Sequence, residues 1–160
     1  LSNRVMERFD NYIGDWCRMR GIAYTRYCDD MTFSADFPLR FLYPKIRGML
    51  EDMGFALNEK KTFFVSDTDR QTVTGLIVNE KVAVPREYKR RLRQEVYYAL
   101  KFGAAASAAY AGHTELAADP GHYRLRLLGQ VRYVRQIEPG NDWFRQAEKQ
   151  LIQAVYSDAL

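Results

Sequence analysis

Two short β-prone runs that meet at adjacent aspartates constrain this 160-residue chain more than any other stretch. Residues 22–27 are rich in aromatic and β-branched side chains, and apolar side chains alternate with polar ones across residues 31–35. This pattern is typical of two strands that pair with each other. We therefore expect a β-hairpin with Cys28, Asp29 and Asp30 at or next to its turn. The other segments are expected to hold this turn in place.

Two neighbouring carboxylates at a strand tip repel each other strongly at low effective dielectric, so a fold retains them where water or cations relieve the repulsion. Hard divalent cations such as Mg²⁺ take oxygen ligands, and two such ions can clamp the attacking and leaving oxygens of a phosphoryl transfer. Ordinary turn chemistry is the alternative, because Asp tolerates bent backbone and hydrogen-bonds nearby amides. The Asp-Asp pair alone is compatible with both interpretations.

The residues around this pair favour metal binding over ordinary turn chemistry. Tyr-x-Asp-Asp, preceded by Tyr-Thr-Arg and followed by Met-Thr-Phe-Ser, resembles the active-site hairpin of reverse transcriptases. The wider pattern Tyr-x-Arg-Tyr-x-Asp-Asp-x-x-x-Ser is similar to the bacterial branch, the retron and group II intron enzymes. The resemblance implies that Asp29 and Asp30 are catalytic and bind two Mg²⁺ ions, for which Mn²⁺ can substitute. It also implies that Tyr27 and Cys28 lie against primer and template, although Cys28 departs from the Ala more common there.

A second motif of the same family follows at residues 54–63. Gly-Phe-Ala-Leu-Asn-Glu-Lys-Lys-Thr is similar to a Gly-x-x-Leu-Asn-x-x-Lys-Thr segment whose lysine protonates the leaving pyrophosphate. By its position before the threonine, that lysine is Lys61, with Lys60 as the alternative. An ammonium beside a triphosphate neutralises charge and can act as a general acid. Without the resemblance, a solvated lysine pair on a surface turn explains the same residues.

Residues 73–84 predict a second hairpin, with strands on either side of a turn at 79–81. A glycine inside the first of these strands, Gly75, indicates a bulge or a close approach by another group. In the resembling family the matching hairpin is the primer grip, so Thr74, Gly75 and Leu76 are expected to contact the primer. The Val-Thr-Gly sequence favours the retron enzymes over the intron-encoded ones.

Helical spacing of apolar residues accounts for most of the remaining chain. It predicts helices from Ser2 or Asn3 to Gly21, from Pro38 to Gly54, over 85–102, over 122–137, and from Asn141 or Asp142 onwards. The small-residue-rich segment 104–121 predicts a short helix and a loop. The fold class is therefore α+β, an antiparallel sheet of two β-hairpins packed on two helices and followed by about three helices. By resemblance, residues 1–84 are the C-terminal part of a palm and residues 85–160 a thumb.

The net charge of +4 lies entirely in the second of these parts. Residues 1–83 hold 12 basic and 12 acidic side chains, whereas residues 84–160 hold 12 and 8. Cations crowded into the start of the helix over 85–102 oppose its dipole and so indicate a phosphate partner, although a solvated basic face is the alternative. The expected contacts to nucleic-acid backbone are Arg86, Lys89, Arg90, Arg93, Arg124, Arg132 and Arg135.

Composition excludes some classes of protein. Apolar residues make up 47% and charged residues 28%, as in globular proteins, and no apolar run approaches the length of a membrane span. Cys17 and Cys28 have neither metal-ligand spacing nor a disulfide framework, which favours a reducing, intracellular setting. The resemblance implies that this setting is the cytoplasm of a bacterium. His113 and His122 lack partners in ligand register and are expected to be exposed.

The resemblance implies an RNA-directed DNA polymerase that transfers nucleotides from dNTPs to a primer end on an RNA template. For a retron enzyme it further implies a cognate structured RNA, msDNA as product, an effector protein and a role in defence against phage. The family's third metal carboxylate lies on an earlier strand, and Asp10 and Asp15 are poor replacements for it. The chain is therefore expected to be a piece of a longer protein. This piece is expected to lack the fingers and to be inactive alone. Two alternatives are a non-catalytic RNA-binding scaffold and a palm-type nucleotide cyclase.

Overall fold

The computed structural model describes residues 2–157 and divides the chain into two compact units, Leu1–Thr74 and Gly75–Leu160. Seven α-helices, one 3₁₀-helix and two small antiparallel sheets occur within the described residues. The predicted α+β class is confirmed. The predicted boundary between palm and thumb, after residue 84, falls inside the second unit and stays a prediction.

The first unit is built on a helix, a hairpin and a second helix. Its elements are α1 (Ser2–Arg18), β1 (Ala23–Tyr27), β2 (Asp30–Ser34), α2 (Leu42–Asp52), a 3₁₀-helix (Glu59–Lys61) and β3 (Thr72–Val73). Apolar side chains of α1 and α2 bury one another, and one face of the hairpin covers them. On that face Tyr24 and Phe33 are cross-strand partners whose rings stack at 4.9 Å, so the hairpin is fixed to the core along its length.

Helix α2 begins at Leu42, and the predicted start at Pro38 is wrong. The reason is a second proline, Pro44, in the third position of the helix. A helix that began at Pro38 would require Pro44 to donate a hydrogen bond to the Arg40 carbonyl, and the proline ring would clash with that carbonyl. In the first turn the missing N–H has no intrahelical acceptor to lose, so Pro44 fixes where the helix can start.

The second unit is helical. Its elements are β4 (Leu76–Ile77), α3 (Arg86–Phe102), α4 (Ala104–Tyr110), α5 (Thr114–Ala117), α6 (Pro120–Ile137) and α7 (Asp142–Ser157). One face of each long helix supplies the buried core, in which Tyr123, Val131 and Phe144 are fully enclosed. Helix α6 begins two residues earlier than predicted, because Asp119 caps it by accepting a hydrogen bond from the His122 amide and Pro120 occupies its first position.

The second predicted hairpin is present, and an unexpected reversal of the chain precedes it. The chain reverses at Thr74 and Gly75, between β3 and β4, and both residues have positive φ angles of 47° and 83°. Positive φ at both central residues matches the two-residue type I′ turn. Residues 73–78 therefore do not form the single strand expected from the sequence. An antiparallel bridge joins Ile77 to Ala83 through two backbone hydrogen bonds of 2.9 Å. The bends between them lie at 79–81, so the predicted turn there is confirmed.

Between residues 2 and 157, none of the helices combines the length and the apolar character needed to cross a membrane.

Candidate active site

The turn between β1 and β2 is the tip that carries the paired aspartates. Tyr27 and Asp30 are the last paired residues of the antiparallel ladder, which leaves Cys28 and Asp29 as a two-residue loop. Cys28 has a positive φ of 55°. A positive φ at the first loop residue alone is the sign pattern of a type II′ turn, in which Gly is the usual occupant. The predicted hairpin and the position of its turn are confirmed.

The side chains at this tip are open to solvent. Tyr27, Cys28, Asp29 and Asp30 are all exposed. Within residues 2–157, neither aspartate makes a hydrogen bond or ion pair through its carboxylate. Two adjacent, unneutralised carboxylates on a fixed turn are hard oxygen donors and suit one or two divalent cations.

Arg26 connects this tip to helix α1. Its Nε donates to Asp10 Oδ1 at 2.9 Å, and its Nη2 lies 2.5 Å from Asp10 Oδ2. Its Nη1 donates both to Asn3 Oδ1, at 3.1 Å, and to the backbone carbonyl of Cys28. The Arg26 side chain is only 7% exposed and that of Asp10 is 28% exposed, so the pair is screened from water on most sides.

Asp10 is thereby occupied by structural partners. The hydrogen bonds from Arg26 hold the pKa of the Asp10 carboxyl below its ordinary value, against the opposing effect of burial. The Tyr24 hydroxyl also donates to Asp10 at 2.7 Å, and burial followed by this carboxylate raises the pKa of Tyr24. Asp15 is paired with Arg18 at 2.7 Å. In the described part of the chain, no three His, Cys, Asp or Glu side chains form a group able to hold a metal.

Lys60 and Lys61 lie on the short 3₁₀-helix after α2. The Asn58 side chain caps this helix by accepting a hydrogen bond from the Lys60 amide at 3.1 Å. Both lysine side chains are exposed, and neither bonds to the Asp29–Asp30 turn within the described residues. The role expected for Lys61 therefore stays a prediction.

The three residues of the predicted primer grip are divided between two environments. Thr74 and Gly75 form the exposed turn between β3 and β4. Leu76 is partly buried and packs against the core of the second unit. Thr74 and Gly75 can therefore be reached by a partner, whereas Leu76 stabilises the fold.

Four of the seven cations expected to contact nucleic-acid backbone already interact with other residues of the chain. Lys89 Nζ lies 2.6 Å from Glu138 Oε1, which also accepts the Val84 amide at 3.0 Å. Arg132 Nε donates to Glu148 Oε1 at 2.8 Å, and Arg135 bonds to the other oxygen of the same carboxylate. Arg124 is half-buried and already has an interaction within the chain. Sequence spacing could not reveal the partners of Lys89, Arg132 and Arg135, because each partner lies on a different helix or loop.

The remaining three cations share one face of α3. Arg86, Arg90 and Arg93 are spaced four and three residues apart, and all are exposed. Arg93 lies over the rings of Trp143 and Phe144, at 5.5 Å and 5.3 Å. The charge expected to bind phosphate is therefore concentrated on α3.

Residues that the sequence analysis missed extend this face. Tyr97 and Lys101 continue the helical spacing, and Lys101 Nζ donates to the Tyr97 hydroxyl at 2.7 Å. Together with Trp143 of α7 they line an open groove of about 310 Å³, in which no acidic side chain occurs among the described residues. Exposed aromatic residues on the basic face of a helix are a detectable signal for base stacking.

A buried glutamate in the second unit corrects one expectation. Glu95 accepts hydrogen bonds from Tyr123 and from Arg126, each at 3.1 Å. His113 is half-buried, with Nε2 at 3.7 Å from Glu95, so the prediction that it is exposed is wrong. His122 is exposed, as predicted.

Comparison with known proteins indicates which class of protein this chain resembles. No family model matches the chain. It is 29% identical over 143 residues to the Retron Mx65 reverse transcriptase of Myxococcus xanthus, an alignment that covers 87% of this chain and 30% of that protein. That relative is named as a reverse transcriptase.

More particularly, the relatives are retron enzymes. The chain is 30% identical to the Retron Ec86 reverse transcriptase of Escherichia coli and 32% identical to the Retron Ec83 reverse transcriptase, in each case over 61% of the chain. It covers 32% and 33% of those two proteins, and so spans about a third of the length of the curated relatives it matches. The predicted recognition as a retron-type reverse transcriptase segment is confirmed.

Proposed function

We propose that the protein to which this chain belongs is a retron-type RNA-directed DNA polymerase, in which these residues supply part of the palm and the thumb. The observation that carries the proposal is the exposed Asp29–Asp30 pair at the turn of a short hairpin, in a chain similar to retron reverse transcriptases. Adjacent carboxylates held at a solvent-facing turn fit a reaction on polyphosphates.

Asp29 and Asp30 are the residues that would hold Mg²⁺, two ions in the complete site, with Mn²⁺ able to substitute. Bound there, the metal would lower the charge on phosphate oxygens and stabilise the attacking and leaving oxygens. The family that the chain resembles uses a third metal carboxylate, whereas Asp29 and Asp30 supply two. Asp10 cannot readily serve as the third because it is paired with Arg26. We therefore propose that a further carboxylate comes from residues outside this chain and that the isolated chain does not polymerise.

The chain's own side chains have separate tasks in this proposal. Lys61 would hold a proton at Nζ and donate it to the departing pyrophosphate. Tyr27 and Cys28, beside the aspartates, and Thr74 and Gly75, at the second turn, would support the primer end. Each of these four residues is exposed.

The basic face of α3 would grip the template–primer duplex. Arg86, Arg90 and Arg93 are exposed and lie on one side of the helix. Contacts from such side chains to phosphates are independent of sequence and weaken as salt rises. The proposal also includes dNTP substrates, a cognate structured RNA, an effector protein and a cytoplasmic location, as expected from the family resemblance.

Primer extension by the full-length protein tests the proposal. The assay would use a primed RNA template, dNTPs and Mg²⁺, and would compare Asp29→Asn and Asp30→Asn with the unaltered protein. Each substitution removes a charged metal ligand, so we expect extension to fall by about 100-fold or more. Asp36→Asn is the matched control, because Asp36 is an exposed aspartate just beyond the same hairpin.

Several results would contradict the proposal. Full extension by both Asp29→Asn and Asp30→Asn would show that the two aspartates are not needed as metal ligands. Intact biological function of these two variants would favour a non-catalytic RNA-binding scaffold. Robust synthesis by residues 1–160 alone would refute the need for a further carboxylate. Turnover of a nucleotide without any RNA template would instead favour the cyclase alternative.

A further inference from the structure

The backbone at Cys28 adopts a conformation that its own residue type does not favour. Its φ of 55° lies in the left-handed region, where a side chain with a Cβ atom is strained. Such a conformation persists only where surrounding contacts determine it. The peptide that follows Cys28 is the one that leads into Asp29, so whatever fixes Cys28 also fixes the direction of the carboxylates.

Arg26 supplies a contact of this kind. Its Nη1 donates directly to the carbonyl oxygen of Cys28. The same guanidinium donates to both oxygens of Asp10 and to Asn3 Oδ1. A guanidinium has five N–H donors in a rigid plane, so one side chain can serve all four acceptors at once. Because it is 7% exposed, little water competes for these bonds.

The other end of the connection is rigid. Asp10 follows Phe9 on α1, and Phe9 and Ile13 are among the most deeply buried residues of the first unit. The Tyr24 hydroxyl donates a further bond to Asp10 at 2.7 Å, which ties the carboxylate to β1 as well. The position of Asp10 is therefore set by the core, and Arg26 transmits that position to the turn.

We propose that Asp10 and Arg26 are positioning residues, which hold the Cys28 carbonyl and so fix the turn that presents Asp29 and Asp30. We call Asp10, Arg26 and the Cys28 carbonyl the latch. Both side chains of the latch would act through the turn and not by contact with substrate. Its effect on catalysis rests on the proposed polymerase function, whereas its effect on the turn does not.

The substitution Arg26→Lys in the full-length protein tests the latch. Lysine keeps the positive charge but offers one ammonium, which cannot bond to Asp10 and to the Cys28 carbonyl in the geometry of the guanidinium fork. We expect kcat for primer extension to fall by about 10-fold, as a small misplacement of reacting groups produces, with little change in KM for the template–primer. We also expect the Mg²⁺ concentration for half-maximal activity to rise.

A second measurement is independent of activity. Hydrogen exchange of the segment 23–34 should be faster in Arg26→Lys, whereas exchange in α2 should not change. Mn²⁺ binding to the substrate-free protein, followed by electron paramagnetic resonance, should weaken. Asp10→Asn, which keeps an oxygen acceptor but loses the charge, should give the same changes to a smaller degree and serves if Arg26→Lys does not fold.

The matched control is Arg18→Lys. This substitution alters an exposed Arg–Asp pair on α1, the helix that carries Asp10, and should leave every measurement unchanged. Wild-type exchange in segment 23–34 in both latch variants would overturn the inference. So would lower thermal stability accompanied by an unchanged kcat, because that pattern describes a purely structural ion pair. If the unaltered protein extends no primer, the proposed function fails, but the exchange result still decides the latch.

Discussion

The pairing of Glu148 with two arginines leads to a prediction that separates structural cations from those available to nucleic acid. Glu148 on α7 is 12% exposed and accepts hydrogen bonds from Arg132 and Arg135 of α6. These bonds, led by the one from Arg132, hold the pKa of the Glu148 carboxyl below its ordinary value. We predict that Glu148→Gln destabilises the second unit and makes its stability less dependent on pH.

The magnitude follows from exposure. Removing one partner of a fully buried ion pair costs about 3–5 kcal/mol, and an exposed pair contributes about 0.2–1 kcal/mol. Arg132 is 58% exposed and Arg135 is 36% exposed, so both guanidiniums stay hydrated when the carboxylate is lost. We therefore expect Glu148→Gln to lower the free energy of unfolding by about 1–2 kcal/mol at pH 7, between these limits.

The sign of the pH dependence is determined by the lowered pKa. A carboxyl whose pKa is lower in the folded state contributes stability above its unfolded pKa, which is about 4.3 for Glu. That contribution is lost as the pH falls through the lowered folded value, because the wild-type side chain then becomes neutral as well. The difference in free energy of unfolding between wild type and Glu148→Gln should therefore reach its full value at pH 7 and decrease at acidic pH.

Urea unfolding at pH 7 and at about pH 3 measures both quantities. Fluorescence of Trp143 in a Trp16→Phe background would report on the second unit alone, since the chain has two tryptophans. Glu115→Gln, an exposed glutamate on α5, is the matched control. A loss at pH 7 no larger than that of the control would refute the reasoning, as would a loss that is the same at both pH values.

Three further predictions concern the candidate site and its surroundings. Lys61→Ala in the full-length protein should reduce kcat for primer extension by about 100-fold, as expected for a general acid, while Lys60→Ala has a smaller effect; equal effects would remove the distinction between the two. Arg90→Ala should reduce the slope of log affinity against log salt for a primed RNA template by about one, whereas Arg135→Ala should mainly reduce stability, and filter binding over a salt series distinguishes them. Gly75→Ala should destabilise the chain by about 1 kcal/mol in thermal unfolding, because φ is 83° and no atom lies within 4 Å of the added methyl group, so only backbone strain opposes it.

The tip of the first hairpin could be predicted because independent local signals agreed there. Strand-forming residues, their alternation and turn-tolerant aspartates all indicated a reversal at residues 28–30, and the ladder ends at Tyr27 and Asp30. The turn of the second hairpin at 79–81 could also be predicted, but the earlier reversal within residues 73–78 could not, because Thr74 has a positive φ and threonine does not signal one. The predicted start of α2 at Pro38 is wrong because Pro44, and not Pro38, occupies the first turn of the helix.

Side-chain partners over long sequence distances could not be predicted. Lys89 looked like a phosphate contact because its neighbours are basic, yet its carboxylate partner, Glu138, belongs to the segment after α6. The place of Asp10 on a helix predicts a poor metal ligand, but no local pattern connects Asp10 with Arg26. Such pairs depend on how helices pack, which periodicity alone does not determine.

The contrast between the two cysteines has a practical consequence. Cys17 is buried in the core of the first unit, whereas Cys28 is exposed beside the aspartates. A thiol-directed nitroxide or fluorophore should therefore attach to this chain at one place, without any engineered residue. Spectroscopy of that label would report the approach of a paramagnetic ion or a nucleic-acid end directly from the turn.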